Sequence, residues 1–308
     1  MDNKITSSRL KTFIAYDLGK LLAFVLGVIL VLYLVFNAIA KKPTDGQDYY
    51  LMIGDEVIVS TDGKKLLNDV KDAAYDNYGF SYDVLRVNNM QIDPTGYSST
   101  YLMDTYVQLS EDDVFIVNDD GSDDGLYKRY ISQECAIEIF DYINAAINYV
   151  KSNNFVDENG VFNEEKIRLN FNATRGEDSR FKTEKAYNEG VENEIKRIKA
   201  IYNNANTLKA VLQNHPELLY KQEKIYYNGQ FIKEGYFALN LSVLQGISNL
   251  FTRVVLVDEE SGTIDYTTDG IVLMIGNNYN ANGDLNYESL ALVNSIINKC
   301  STFISELN

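Results

Sequence analysis

Asp112-Asp113-Val114-Phe115-Ile116-Val117-Asn118-Asp119-Asp120-Gly121 is the stretch on which the fold turns. Four apolar residues run without a break between acidic, turn-forming flanks. A strand with one wet face alternates. A short continuous run closed off by turn residues is a strand covered on both faces. Upstream, Tyr49 to Ile53 and Val57 to Ser60 have strand character around the turn Gly54-Asp55-Glu56. Asp62-Gly63 opens a helix in which Leu66, Leu67, Val70 and Ala74 recur at steps of three and four. Tyr82 to Val87 alternates and predicts a strand. Ser98 to Leu109 predicts a helix with Ser98 or Ser99 as its N-cap. Residues 49–118 thus read β-α-β-α-β, a pattern that favours parallel strands with right-handed crossovers.

Downstream, a long helix is predicted from about Leu126 to Lys151, burying Ala136, Ile139, Phe140, Ile143, Ile147 and Val150. Residues 153–182 are polar and read as irregular, with a turn at Asp157-Glu158-Asn159-Gly160. From Thr183 to Asn214, Val191, Ile195, Ile198, Tyr202, Ala205, Leu208 and Leu212 form a regular helical stripe that His215-Pro216 ends. That stripe is either one wall of a core or a short coiled-coil seam, and its length favours the wall. Lys224 to Ile232 predicts a hairpin turning at Asn228-Gly229. Tyr236 to Leu241 and Arg253 to Val257 read as strands. Ile271 to Ile275 is a second continuous apolar run, and a last helix is predicted over Tyr287 to Leu307.

Leu21 to Phe36 carries no polar group except the Tyr33 hydroxyl, and Asn37-Ala38-Ile39-Ala40 extends it. About 20 helical residues rise about 30 Å, enough to cross a hydrocarbon core. Lys4, Arg9, Lys11 and Lys20 precede this run, and Lys41 and Lys42 follow it. The excess before the run predicts an N-terminus inside and a body outside. The layout expected is a cytoplasmic tail over 1–20, a transmembrane signal-anchor helix over 21–40, a linker over 41–48 and an extracytoplasmic α/β domain over 49–308. A cleaved signal peptide is the rival, because Ala38-Ile39-Ala40 fits a small-residue cleavage pattern.

Across 308 residues the net charge is −16. Up to Lys42 there are six basic and two acidic residues, a net of +4, which leaves −20 for the rest. Nucleic acid is a poor partner for such a chain, since phosphate contacts need clustered Lys and Arg. One histidine and two cysteines exclude zinc ribbons, disulfide-knot scaffolds and most His-based catalysis. Cys135 and Cys300 fall on predicted helices, and both pairing and two buried thiols stay open.

The order of elements resembles extracytoplasmic solute-binding-protein-like domains of low-GC Gram-positive bacteria. The carrying residues are Glu111-Asp112-Asp113-Val114-Phe115-Ile116-Val117 and Asp269-Gly270-Ile271-Val272-Leu273-Met274-Ile275, the latter followed by an Asn-rich turn and a last helix. More closely, the chain is similar to uncharacterised single-pass membrane proteins of those bacteria that join a signal anchor to a reduced domain of this type. The resemblance covers about residues 49–118 and 269–308. It implies a periplasmic-binding-protein-like fold and a membrane permease or envelope protein as partner. The chain departs from transporter receptors in having no lipobox cysteine and no tryptophan.

Few constellations carry chemistry. Asp120-Gly121-Ser122-Asp123-Asp124-Gly125 matches half a calcium loop but has Ile131 where the bidentate Glu belongs, so it reads as a turn. Asn278 to Leu285 repeats the rhythm with neutral residues. His215 is the only imidazole and reads as a helix-end cap; no serine sits in a nucleophile-elbow pattern. The 23 tyrosines read as core and composition before they read as a ligand cleft. In an open α/β sheet, ligands collect beyond the carboxyl ends of the parallel strands. That rule nominates Asp55, Asn88, Asn89, Asn118 and Asp119 as ligand-binding residues. The expectation is a membrane-anchored binding or interaction module without catalytic activity, cofactor or metal. The alternative is a structural component of a cell-envelope or membrane complex, contacting partners through the helix from Thr183 to Asn214 and the membrane helix.

Overall fold

The computed structural model describes residues 11, 18–39, 48–54, 56–68, 84, 86–92, 113–123, 125–176, 178–227, 230–258, 263–277 and 286–307. The predicted helix at 98–109, Asp55, and the Asn-rich loop 278–285 lie outside them. The chain divides into two units, 1–43 and 44–308.

The first unit contains α1, Leu18–Ile39. Its Leu18–Val35 window has a mean hydropathy of 2.6 and none of it is buried in the protein. At 1.5 Å per residue its 22 residues rise about 33 Å. Apolar on every side, this helix is long and apolar enough to cross a membrane.

The second unit is built on a five-stranded sheet. Its strands in chain order are β1 (Asp48–Gly54), β3 (Arg86–Ile92), β4 (Val114–Asn118), β7 (Ala238–Asn240) and β10 (Ile271–Ile275). They lie side by side as β3-β1-β4-β10-β7. β1 runs parallel to both β3 and β4, as the β-α-β-α-β reading requires, whereas β10 is antiparallel to β4 and to β7. The two continuous apolar runs are the adjacent central strands, buried at every position. Alternate residues serve two cores. Val114, Ile116, Ile271, Leu273 and Ile275 face one; Phe115, Val117, Val272 and Met274 face the other.

The first core is closed by α2 (Thr61–Asn68), α4 (Ile139–Ser152), α6 (Glu184–Asn214) and α7 (Ser289–Cys300). The second is closed by α3 (Leu126–Ser132), together with Ile225 and Phe237. The expected single helix over 126–151 is therefore α3 and α4, which cover opposite faces. The chain changes face between them: Glu134 adopts φ +57°, Ala136 bridges to Gly276, and Ile137 N–H donates to the Ile275 carbonyl at 2.9 Å. The polar stretch expected to be irregular contains α5 (Glu164–Arg175), N-capped by the Asn163 side chain, whose Oδ1 accepts from Lys166 N–H at 3.0 Å.

α6 fulfils its stripe as a core wall against α4, α5 and α7. Thr183 caps its start and His215 its end. The His215 ring stacks on Phe303 at 3.8 Å, with Glu217 and Glu306 oxygens 3.2 and 3.4 Å from its nitrogens. α7 stops at Cys300, where Ser301 turns extended, and only a short 3-10 turn at Ser305–Leu307 follows. Both cysteines are buried thiols, not joined in a disulfide. At the opposite end of the sheet from the candidate site, the buried Asp113 carboxylate accepts from Tyr50 N–H and from Asn286 Nδ2, each at 2.8 Å.

Smaller sheets complete the unit. β2 (Val57–Val59), β8 (Phe251–Asp258) and β9 (Thr263–Thr267) form one in the order β2-β8-β9. β5 (Gln222–Tyr227) and β6 (Gln230–Tyr236) form the predicted hairpin.

Candidate functional site

β3 and β4 flank β1, so the chain reverses its winding between β1 and β4. The space beyond Gly54 and Asn118 is the switch point where α/β sheets place ligands. Asn118, the last residue of β4, donates from Nδ2 to Glu56 Oε2 at 2.7 Å, tying β4 to the β1–β2 turn. Its Oδ1 is buried and has no hydrogen-bond partner among the described residues. That oxygen faces the Cα of Gly270, where a Cβ would come within 2.8 Å. Gly270 also sits at φ +78°, so a side chain there is excluded on two counts.

Asp119 follows with a side chain only 1% exposed. Its carboxylate accepts from Lys221 Nζ at 2.6 Å, Tyr220 OH at 3.0 Å and Gly121 N–H at 2.9 Å. Its own N–H donates to the Gly270 carbonyl at 2.8 Å. Burial pushes this carboxyl up, but the Lys221 ammonium, the Gly121 amide and the Tyr220 hydroxyl outweigh it and hold it below the usual carboxylate range. The same bond raises Lys221 above its ordinary value. Burial and the neighbouring Asp119 raise the Tyr220 hydroxyl.

The network continues along one side. Tyr220 meets Tyr127 edge to face at 5.4 Å. Tyr127 donates to Glu223 Oε1 at 3.2 Å, and Lys128 Nζ reaches both Glu223 oxygens at 2.7 Å. Burial, then Glu223, drives the Tyr127 hydroxyl far above its ordinary range, so it stays protonated and donates. Each acid of this row is matched by a donor. The Lys221 ammonium is half exposed and keeps further N–H donors for solvent or for an anionic or carbonyl ligand.

The structure thus brings Asn118 and Asp119 together at the switch point and adds Glu56, Tyr220 and Lys221. Asn88 and Asn89 were expected in the loop after a strand at 82–87. They lie inside β3, because β3 pairs with β1 from Arg86 to Ile92. Asn89 is level with Leu51, and Leu51 with Val114, well short of the end of β4. Asn89 is exposed and donates to Asn68 Oδ1 at 3.0 Å. It borders a cavity of about 280 Å³ lined also by Ile53, Lys64 and Leu67. Tyr220 and Lys221 escaped sequence reading, because nothing local marks a residue before a hairpin as a partner for a strand end far upstream. Asp120 spends its Oδ1 on the Ser122 N–H at 2.8 Å, so the acidic loop is a hydrogen-bonded turn. Among the described residues, no three His, Cys, Asp or Glu side chains converge to hold a metal.

Comparison of the chain with family models, curated proteins and solved structures finds no match.

Proposed function

We propose that this protein is a membrane-anchored, extracytoplasmic binding or interaction module without catalytic activity, with a body laid out like a reduced solute-binding domain. The observation that carries the reading is α1, an all-round apolar helix with no burial, on a chain whose remainder is an acidic α/β unit with its own two-sided core. The Asp119–Lys221 pair at the strand ends, with the ammonium half exposed, supports a polar ligand or peptide contact there. A membrane permease or envelope protein is the partner class that fits this reading. The assembly alternative through α6 is less favoured, because its apolar stripe is already covered by α4, α5 and α7.

The test uses the full chain in lipid nanodiscs, melted with sugars, short peptides and calcium. Binding of one class should raise Tm, and Asn118→Ala or Asp119→Asn should abolish that rise. An unchanged rise in both variants rejects the site. Protease shaving of intact cells should remove the acidic body; a body that survives shaving but is digested after lysis rejects the topology.

A further inference from the structure

The cavity of about 280 Å³ beside Asn89 is walled by α2, β1, β2 and β3, four elements of the second unit. α2 turns Lys64, Leu67 and Asn68 toward it, residues that steps of three and four place on one helix face. Both ends of α2 are pinned. At its start, Ser60 Oγ accepts from Gly63 N–H at 3.0 Å. Gly63 also lies against the Leu250 carbonyl, where a Cβ would come within 2.4 Å of the oxygen. At its end, Asn89 on β3 donates to Asn68. The walls are thus set in place without a ligand, as in most small-molecule sites.

The cavity has an apolar floor and a polar rim. Ile53 and Leu67 are buried, and Lys64, Asn68 and Asn89 are exposed. Lys64 is the only charged residue of the lining, on a chain of net charge −16. No described residue pairs with its ammonium. Asn89 Nδ2 occupies Asn68 Oδ1 at 3.0 Å, which leaves the Asn68 amide N–H groups free to donate, one helical turn from Lys64. An ammionium beside an amide donor answers a group that is negative and only accepts, and a carboxylate is such a group. An amine would meet the Lys64 charge head on. One positive charge matches a monoanion. The volume lies just under the usual range of about 300–1,000 Å³ and so calls for a small ligand.

We propose that this cavity is a binding site for a small monocarboxylic acid. The apolar part of the acid rests on Ile53, Leu67 and Met90, and its carboxylate meets the Lys64 ammonium and the Asn68 side-chain amide. The site shares no residue with the Asp119–Lys221 network and does not depend on the reading of α1 as an anchor.

The full chain, carbon-13-labelled at its methionine methyls and held in phosphatidylcholine nanodiscs, is titrated with phenylacetate, phenylacetamide and phenethylamine. These share one shape and differ in charge; hexanoate supplies an aliphatic acid. Met90 lines the cavity, its signal assigned by its loss in Met90→Leu, and Met274, buried in the second core, is the reference. Phenylacetate or hexanoate should move the Met90 signal saturably and leave Met274 in place. Phenylacetamide should bind several-fold more weakly than phenylacetate, and phenethylamine more weakly still. Lys64→Met should erase the preference for acid over amide. Ile58→Trp, from a 38% exposed position on the wall, should fill the cavity and abolish the Met90 shift. An unchanged Tm in both variants shows that the fold is intact. No saturable Met90 shift with either acid overturns the site, as does a shift that survives Ile58→Trp. Acid and amide binding equally to the native chain, or an acid preference that survives Lys64→Met, overturns the carboxylate assignment. A Met90 shift lost in Asp119→Asn places the ligand at the strand ends and overturns this site; a shift kept in that variant supports it.

Discussion

Asp119 keeps a buried charge because three donors converge on it, and this sets a pH signature. Its carboxyl lies below the ordinary range in the folded chain and returns to about 3.9 when unfolded. Between those values the unfolded chain binds more protons. The contribution to stability is therefore complete above the unfolded value and lost as pH falls through the folded one. Lys221 is shifted upward, so its share is complete below about 10.4 and lost as pH rises through its folded value. Lys221 is half exposed, which screens the ion pair; the larger share rests on hydrogen bonds to a charged acceptor. Asp119→Asn should cost about 1–2 kcal/mol near neutral pH. The deficit should shrink in urea melts run well below the ordinary carboxylate range. A deficit that is the same in acid would show that the carboxylate charge is not the cause. Asn118 and Asp119 were legible because a buried strand followed by Asn-Asp-Asp-Gly has only one place to end. Asn88-Asn89 looked equally loop-like, but pairing along the full length of β1 overrode the local preference.

At the scale of elements, α6 was the most legible part of the chain, since a long stripe needs only its own sequence to declare itself. What it packs on was not legible. Arg197 on α6 is held between Glu194, one turn back at 3.1 Å, and Glu288 at the start of α7, at 3.0 Å. Burial works against the guanidinium charge, but the two carboxylates outweigh it and raise its pKa above the ordinary arginine value. Arg197→Leu leaves both carboxylates buried without their shared partner and should destabilise the chain by about 3–5 kcal/mol, measured by chemical unfolding. A loss under about 1 kcal/mol would place the triad among solvated surface pairs. The break between α3 and α4 was hidden because apolar residues continue through it at helical spacing. Only the assignment of α3 to one face of the sheet and α4 to the other forces Glu134 into the left-handed region. α5 was hidden for the opposite reason: it buries only Ile167 and Phe171 and so leaves almost no stripe.

For the whole molecule, the sequence announced an α/β body and a long apolar helix near the start, and the structure has an α/β body and one helix long and apolar enough to cross a membrane. It did not announce that the sheet is mixed, because direction depends on which neighbour a strand chooses, and β10 inserts beside β4 from far along the chain. The two central strands are Val114–Asn118 and Ile271–Ile275, each buried at every residue. A chain ending just before Ile271 retains β1, β3 and β4 but opens a flank of the central strand to water. Such a truncation should show no cooperative melting transition and should bind hydrophobic dyes, whereas the full chain should melt in a single step. A truncated chain that melts cooperatively would assign the stability to the parallel strands alone. During synthesis, then, α1 emerges early while β4 waits for nearly the whole remaining polypeptide before its second neighbour exists. The nascent body cannot lock as it leaves the ribosome. Its central sheet gains its last strand only after Ile271–Ile275 has been made, so folding of the body follows the synthesis of nearly the whole chain.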